Sequence, residues 1–228
     1  MKLYLITAKD KDLYFIKKHI FRPITVQLSD IIDIKSIEVG TINSKEILED
    51  IQKNEDDAII CFFLHGNLNQ MFCSTATSRI EQNNCIDRDP IPFITNEKMF
   101  FLKGKKVVGF SCSSNKMSKD FIKNGIRVFM GFDEIPFKDY EDSNFGNKNE
   151  QILKQLIASS FANSFIIFIK KELNFNEFKT LLEQNLRKKI FLNPLKLKLA
   201  NRNKIAKLIQ KLISGIKIFG DGNLKFNQ

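Results

Sequence analysis

Cysteine, proline and glycine are scarce in this 228-residue sequence, and each scarcity excludes a class of architecture. Ten glycines and five prolines are too few for a collagen-like or linker-dominated chain. The four cysteines, at positions 61, 73, 85 and 112, are too few for a disulfide scaffold and form no C-x-x-C pair of the kind that binds zinc. We therefore expect reduced thiols, no metal site and no bound cofactor.

Long apolar runs are also missing, which argues against a protein that spans a membrane. The most apolar stretch, Ile157–Ile169, is too short for a bilayer and is interrupted by serine and asparagine. The first residues carry one lysine and an apolar run that ends before Lys9, whereas a signal peptide needs a longer apolar region and a cleavage site. With 43% hydrophobic and 27% charged residues, the composition predicts a globular, cytoplasmic protein with one domain over residues 1–228.

The net charge of +10 is concentrated in the last quarter of the chain. Residues 170–228 hold 14 lysines and arginines against 4 acidic residues, whereas residues 1–169 hold 22 of each sign. The basic helical segment at about 187–214 has two interpretations. It is the solvated face of ordinary helices, or it attracts nucleic acid or an acidic protein partner.

Short apolar runs alternate with amphipathic patterns along the chain, and this alternation predicts an α/β fold. Two segments, Ala58–Leu64 and Lys105–Ser111, carry the near-continuous apolar stretches typical of strands buried on both faces of a parallel sheet. Further strands are predicted at Lys2–Ala8, Ile34–Val39, Ile126–Phe132 and Ile216–Phe219, with a turn and a short strand after the last. Helices are predicted at Ser44–Lys53, Lys116–Asn124, Glu150–Leu173, Asn176–Lys189 and Asn203–Ser214, and a surface loop at 138–149.

A histidine and a cysteine follow the two buried strands directly. His65 comes after the run that ends at Leu64, and Cys112 follows the next such strand, 47 positions later. Open α/β sheets bind ligands outside the carboxyl ends of their strands, so both side chains are expected at one edge of the sheet. The helix predicted after Cys112 is expected to lower the pKa of its thiol through nearby backbone amides. The alternatives are a hydrogen-bonded buried histidine and a buried structural thiol.

These two residue types can form the reacting pair of a cysteine hydrolase. In such an enzyme a thiolate attacks a carbonyl, an imidazole transfers the protons, and two N–H groups hold the oxyanion. Gly66 leaves its backbone N–H unshielded by a side chain, and the Cys112 N–H supplies a second donor. The other histidine, His19, lies among apolar and basic residues, which favours a packing or surface role.

Around these residues the sequence resembles the caspase-like cysteine peptidases, the clan of caspases, separases and gingipains, and within them the CHAT group. The resemblance runs from about Ala58 to the C-terminus and rests on the order of several motifs. His65-Gly66 after an apolar block resembles the family histidine motif, and Leu102–Cys112 resembles its cysteine strand. The histidine of caspases lies ~50 residues upstream of the cysteine, which is close to the interval here. Similar segments follow at Ile126–Phe132, Phe161–Arg187 and Phe219–Leu224.

The resemblance implies a three-layer sandwich, with a mostly parallel central sheet flanked by helices and with extra C-terminal helices. It implies a His65–Cys112 dyad and an endopeptidase that cleaves a protein substrate. Many bacterial CHAT proteins look like proteases of defence or cell-death systems that a protein partner switches on, so the resemblance also implies an activating partner. Ser113-Ser114 departs from the acidic residue, threonine and glycine that follow the nucleophile in many members.

Acidic residues near the strand ends are candidates for a pocket that binds a basic substrate side chain. Asp133 and Glu134 follow one predicted strand, and Asp10 and Asp12 follow the first; the alternative is ordinary exposed carboxylates. Two other functions stay open. One is a catalytically silent caspase-like interaction module, and the other is nucleic-acid binding through the basic residues of 187–211, where Phe191 alone offers a ring for stacking.

Overall fold

A six-stranded, mostly parallel sheet forms the centre of the protein. The computed structural model describes residues 2–9, 13–40, 44–53, 58–74, 80–81, 84–85, 91–136, 146–192 and 199–227. Its strands are β1 (Lys2–Ala8), β2 (Asp33–Val39), β3 (Ile59–Phe63), β4 (His65–Gly66), β5 (Met71–Ser74), β6 (Ile80–Glu81), β7 (Asn84–Cys85), β8 (Ile91–Ile94), β9 (Lys106–Gly109), β10 (Val128–Gly131) and β11 (Lys217–Gly220). The central sheet has the order β2-β1-β3-β9-β10-β11, and all its neighbours are parallel except β10 and β11.

The strands β3 and β9 lie in the middle of this sheet because their residues can be buried on both faces. Every residue of both strands is buried. The one charged member, Lys106, has its Nζ satisfied by the backbone carbonyl of Phe226 at 2.9 Å. The two strands pair directly, with Phe62 opposite Gly109. The prediction that both segments form buried strands of a parallel sheet is confirmed, and the structure adds that the two strands are neighbours.

Helices lie on both sides of the sheet. They are α1 (Tyr14–Ile16), α2 (Arg22–Leu28), α3 (Ser44–Lys53), α4 (Ser118–Lys123), α5 (Gly146–Lys170), α6 (Phe175–Leu192) and α7 (Leu199–Gly215). A π-helical turn, Lys17–Phe21, joins α1 to α2, and 3-10 turns span Asn96–Leu102 and Ser114–Met117. The helices α2, α5, α6 and α7 form one packed series, and α3, α4 and the first 3-10 turn form another.

Two successive phenylalanines of β3 show how these layers meet the sheet. Neighbouring side chains of a strand point to opposite faces. Phe63 contacts Phe21 of the π-helical turn and Phe161 of α5, with ring centroids 5.2 and 5.4 Å away. Phe62 instead contacts Phe93 of β8, at 6.1 Å. The predicted α/β fold with a three-layer arrangement is therefore confirmed.

Four segments differ from their predictions. The helical stretch from Tyr14 to Leu28 was not expected, and the part of the chain after His65, for which no strand was predicted, forms a second sheet, β4-β5-β8. The helix α5 begins at Gly146, inside the predicted loop 138–149, of which residues 137–145 lie outside the described structure. The expected terminal strand is a single bridge between Asn174 and Lys225, because the chain there makes tight turns.

One helix has the length and composition of a membrane span, although the sequence analysis judged its most apolar stretch too short for a bilayer. Within α5, the 22 residues Asn149–Lys170 are long and apolar enough to cross a bilayer by length and composition alone. In this fold 61% of the most apolar window is buried inside the protein, as in the core helices of proteins that cross no membrane. This helix is accordingly weak evidence for a membrane span.

Candidate active site

The carboxyl ends of β3 and β9 bring the His65 and Cys112 segments to one edge of the sheet. The two strands pair in parallel up to Phe62 and Gly109, and His65 and Cys112 each follow three residues later. Continued in the same register, the strands would therefore place these two residues opposite each other. In this sheet β1 and β3 are adjacent and the chain turns outwards from them in both directions, so the topological switch point of the sheet lies between the carboxyl ends of β1 and β3. The β3–β9 pair is one strand away from it, at the same edge of the sheet.

The backbone of Gly66 lies directly against the Ser111–Cys112 segment. A Cβ atom built on Gly66 would overlap the hydroxyl of Ser111 and the carbonyl oxygen of Cys112. Glycine is thus required here by space rather than by backbone conformation. The contact ties β4, which carries His65, to the residue that carries the thiol, and it is the tightest link between the two predicted reacting segments.

The thiol of Cys112 is half-buried and contacts the backbone of Ile135. The Ile135 N–H donates to Sγ at 3.5 Å, and the S–H group lies 3.9 Å from the Ile135 carbonyl oxygen. Burial raises the pKa of this thiol, the Ile135 N–H opposes that shift, and the carboxylates of Glu134 and Asp133 add to it. In its ground state Cys112 is therefore held as a neutral thiol.

The pKa of the Cys112 thiol is raised, whereas the sequence analysis expected the helix after Cys112 to lower it, so that expectation is wrong. The expected regular helix begins only at Ser118, six residues past the cysteine, and is preceded by a 3-10 turn from Ser114 to Met117. Its amides are too far away to act on the thiol, since helix-end effects decay within the first turn. The residues that do act on it come from the segment after β10, which lies beside Cys112 in space but 20 or more positions away in sequence.

Ser111 and Ser113 complete the turn that presents Cys112. Ser113 adopts a left-handed conformation, with φ of 58°, and its N–H donates to the carbonyl of Asp133. Ser111 is buried, and its hydroxyl has no hydrogen-bond partner among the residues that the structure describes. Within the same residues no acceptor is found for the Cys112 N–H, which leaves this donor available for an oxyanion.

The acidic residues predicted near the site have different outcomes. Asp133 and Glu134 lie close enough to Cys112 to affect its pKa, and both are exposed. Asp133 forms an ion pair of 3.6 Å with Lys116, and Glu134 one of 2.6 Å with Lys211 of α7. Asp10 and Asp12 lie outside the described residues. A pocket for a basic side chain remains a prediction for Asp133 and Glu134.

Cys61 and Cys73 are buried, and His19 lies in the helical stretch that follows β1. His19 is half-buried in the π-helical turn, where burial and then Lys18 lower its pKa, in keeping with a packing role. Cys61 is buried within β3, and burial raises the pKa of its thiol strongly. The Cys73 thiol donates to the carbonyl of Ile91 at 3.3 Å. Among the described residues no three His, Cys, Asp or Glu side chains are grouped to hold a metal ion.

The basic segment is exposed on two helices. Arg187 and Lys188 lie at the surface of α6, and Lys207 and Lys211 at the surface of α7, while residues 193–198 lie outside the described structure. Lys211 is already paired with Glu134. Nucleic-acid binding by this segment stays a prediction.

Ile135 and Ser111 are the site residues that sequence reasoning missed. The rule that places functional groups at strand ends pointed to the segment after β10 but selected its carboxylates rather than the Ile135 backbone. Ser111 immediately precedes Cys112, just beyond the end of β9. It is identified as a site residue by the close approach of the Gly66 backbone, which the sequence does not show.

Comparisons with known proteins do not assign this chain to a family. No protein-family model matches the sequence, and no curated protein matches it. Among solved structures, one match is a protein from Staphylococcus aureus provisionally named a phosphofructokinase, with 9% sequence identity and a TM-score of 0.30. The similarity covers 98% of this chain and 83% of that one. At that TM-score it carries no argument about fold or activity.

Proposed function

We propose that the protein is a cysteine endopeptidase of the caspase-like group, with Cys112 as nucleophile and His65 as its proton carrier. The observation that supports this proposal most is the packing of the Gly66 backbone against Ser111 and Cys112 at the carboxyl edge of β3 and β9. A thiol, an imidazole and N–H donors on adjacent strand ends are the parts that acyl transfer requires.

The reaction follows from these parts. His65 takes the thiol proton of Cys112 as the sulfur bonds to the peptide carbonyl carbon, and the Gly66 and Cys112 N–H groups hold the resulting oxyanion. The tetrahedral intermediate collapses by breaking the C–N bond, and His65 gives its proton to the departing amine. His65 then takes a proton from water, the hydroxide attacks the thioester, and the Cys112 sulfur leaves and regains the proton.

The surroundings of the thiol support activation by a protein partner. Burial and the carboxylates of Glu134 and Asp133 keep the Cys112 thiol protonated. The Ile135 N–H donates a hydrogen bond to the sulfur and so holds it in contact with the 133–136 segment. A partner that moves the 133–136 segment would free the sulfur and take both carboxylates away from it, although the Ile135 N–H that favours the thiolate would be lost as well. The segment is reached from outside, because Glu134 and Asp133 are exposed and are paired with the surface lysines Lys211 and Lys116.

The decisive experiment compares Cys112→Ala and His65→Ala with the wild type on a proteome-derived peptide library, read by mass spectrometry. Each variant should lose cleavage by about a thousandfold or more, because neither group can react without the other. Cys73→Ala is the matched control, since that thiol is buried in β5 and should leave cleavage unchanged. Undiminished cleavage by Cys112→Ala would refute the proposal.

A second candidate is a catalytically silent interaction module on the same scaffold. The observation that favours it is the raised pKa of Cys112, which is the opposite of the shift found in most activated cysteines. In that case the exposed basic residues of α6 and α7 would bind an acidic protein partner. The two candidates differ in the reactivity of Cys112.

A further inference from the structure

A groove beside β1 and β2, on the side of β1 away from β3 and β9, has the features of a ligand site. The proposed peptidase does not use this groove. The groove lies between the helical stretch of residues 17–26 and the strands β1 and β2, with a volume of about 420 Å³. That volume is within the range of small-molecule sites. Phe21 and Ile37 line it, together with Val26, whose side chain is exposed in spite of its apolar character.

The buried wall of this groove carries an unsatisfied hydroxyl. Thr7 of β1 lines the groove and is 1% exposed, yet its Oγ1 has no hydrogen-bond partner among the described residues. Buried polar groups are nearly always satisfied, and an exception points to a missing water, ion or ligand. The hydroxyl oxygen is covered in the free protein, so it can donate to an acceptor in the groove once the side chains over it move aside.

The charges around the groove favour an anion. Lys17, Arg22 and Glu38 line it, and Lys17 is paired with Glu38. Arg22 is exposed and has no ion-pair partner within the described part of the chain. The lining therefore carries one uncompensated positive charge beside apolar side chains.

The π-helical turn explains why two cations five positions apart reach one groove. The Arg22 N–H donates to the Lys17 carbonyl, which closes a wider turn than an α-helix would. Such turns are rare and are found frequently at functional sites.

We propose that this groove binds an organic monocarboxylate with an apolar body. The carboxylate pairs with Arg22, one of its oxygens accepts the hydrogen bond of Thr7, and the body covers Phe21, Val26 and Ile37. A second carboxylate is disfavoured because Glu38 lies in the same lining. The proposal does not depend on peptidase activity, since none of these residues belongs to the candidate active site.

The test uses 4-phenylbutyrate as probe and 4-phenylbutanol as its neutral counterpart, titrated into the full chain labelled with ¹⁵N. Phenylbutyrate should cause saturable changes in the amide chemical shifts of Thr7, Val26 and Ile37. The dissociation constant expected for a ligand of this size is about 1 mM. The alcohol should bind about fivefold more weakly, because it cannot pair with an exposed arginine. Equal affinity for the two probes, or no saturable shift at these residues, would overturn the proposal.

Variants separate the two polar contacts. Arg22→Gln should weaken phenylbutyrate to about the affinity of the alcohol, whereas Lys18→Gln, an exposed cation on the same helical stretch outside the groove, should bind like the wild type. Thr7→Val should weaken binding while raising the melting temperature of the free protein, since it removes a buried hydroxyl that has no partner. Wild-type affinity in Arg22→Gln or in Thr7→Val would contradict the assigned contacts.

Discussion

Two cysteines, one inside β3 and one just beyond the end of the neighbouring β9, have opposite surroundings. Cys61 lies in the middle of β3, opposite Val108 of β9, and only burial acts on its pKa. Cys112 lies just beyond the carboxyl end of β9, where a backbone N–H and two carboxylates act on it as well as burial. The sheet interior makes a thiol inert, whereas the sheet edge gives it polar neighbours that can be moved. Position along the strand, more than residue type, thus decides which thiol is available for chemistry.

Alkylation should show the largest difference between these two thiols. Cys112 is expected to react with iodoacetamide at least about a thousandfold faster than Cys61, which can react only after the core opens. Because the pKa of Cys112 lies above its usual value of 9.0, its rate should rise about tenfold per pH unit from pH 7 to 9 without reaching a plateau. Peptide mapping by mass spectrometry gives the rate at each cysteine. If Cys112 reacts no faster than Cys73, the result favours the catalytically silent interaction module over the peptidase. A plateau in the alkylation rate of Cys112 below pH 8 would contradict the raised pKa of its thiol.

Gly66→Ala should change the edge of the sheet while leaving its interior intact. The added methyl overlaps Ser111 and the Cys112 carbonyl, so the two strand ends must move apart. We expect a loss of about 1–3 kcal/mol of stability from this overpacking, and a loss of peptide cleavage of about a hundredfold from the displaced groups. Thermal unfolding and cleavage assays measure the two effects, and Cys61 should stay protected from alkylation.

Gly40→Ala is the matched control for that change. A Cβ on Gly40 would meet no atom within 4 Å, so the same substitution there adds no overlap. If Gly66→Ala were as stable and as active as Gly40→Ala, the close contact of Gly66 with Ser111 and Cys112 would not be needed for stability or for peptide cleavage.

The interior of the sheet was easier to predict from the sequence than its edge. The strands β1, β3 and β9 were predictable because short, near-continuous apolar runs are typical of buried parallel strands. The positions of His65 and Cys112 followed from the general rule about carboxyl ends. The Ile135 contact did not, because it joins residues 23 positions apart through the path of an irregular segment. The short strands after His65 were missed for a related reason: they are held by pairing with one another, not by a strong local pattern.

The smallest expected effect concerns the charge beside Cys112. Glu134→Gln removes one of the two carboxylates that raise the thiol pKa, so that pKa should fall towards its usual value and the thiolate fraction at pH 7.5 should rise. Glu134 is exposed and already paired with Lys211, so screening limits the gain in alkylation rate to about twofold to fivefold at low salt. Glu46→Gln on α3, an exposed carboxylate that does not act on Cys112, should leave the rate unchanged. Adding ~0.5 M salt should shrink the difference between the variant and the wild type, because the Debye length falls below the distances at which exposed charges interact. A variant rate equal to that of Glu46→Gln at low salt would show that the Glu134 carboxylate does not contribute to the reactivity of Cys112, and burial, Asp133 and the Ile135 N–H would then account for the difference between the edge and the interior.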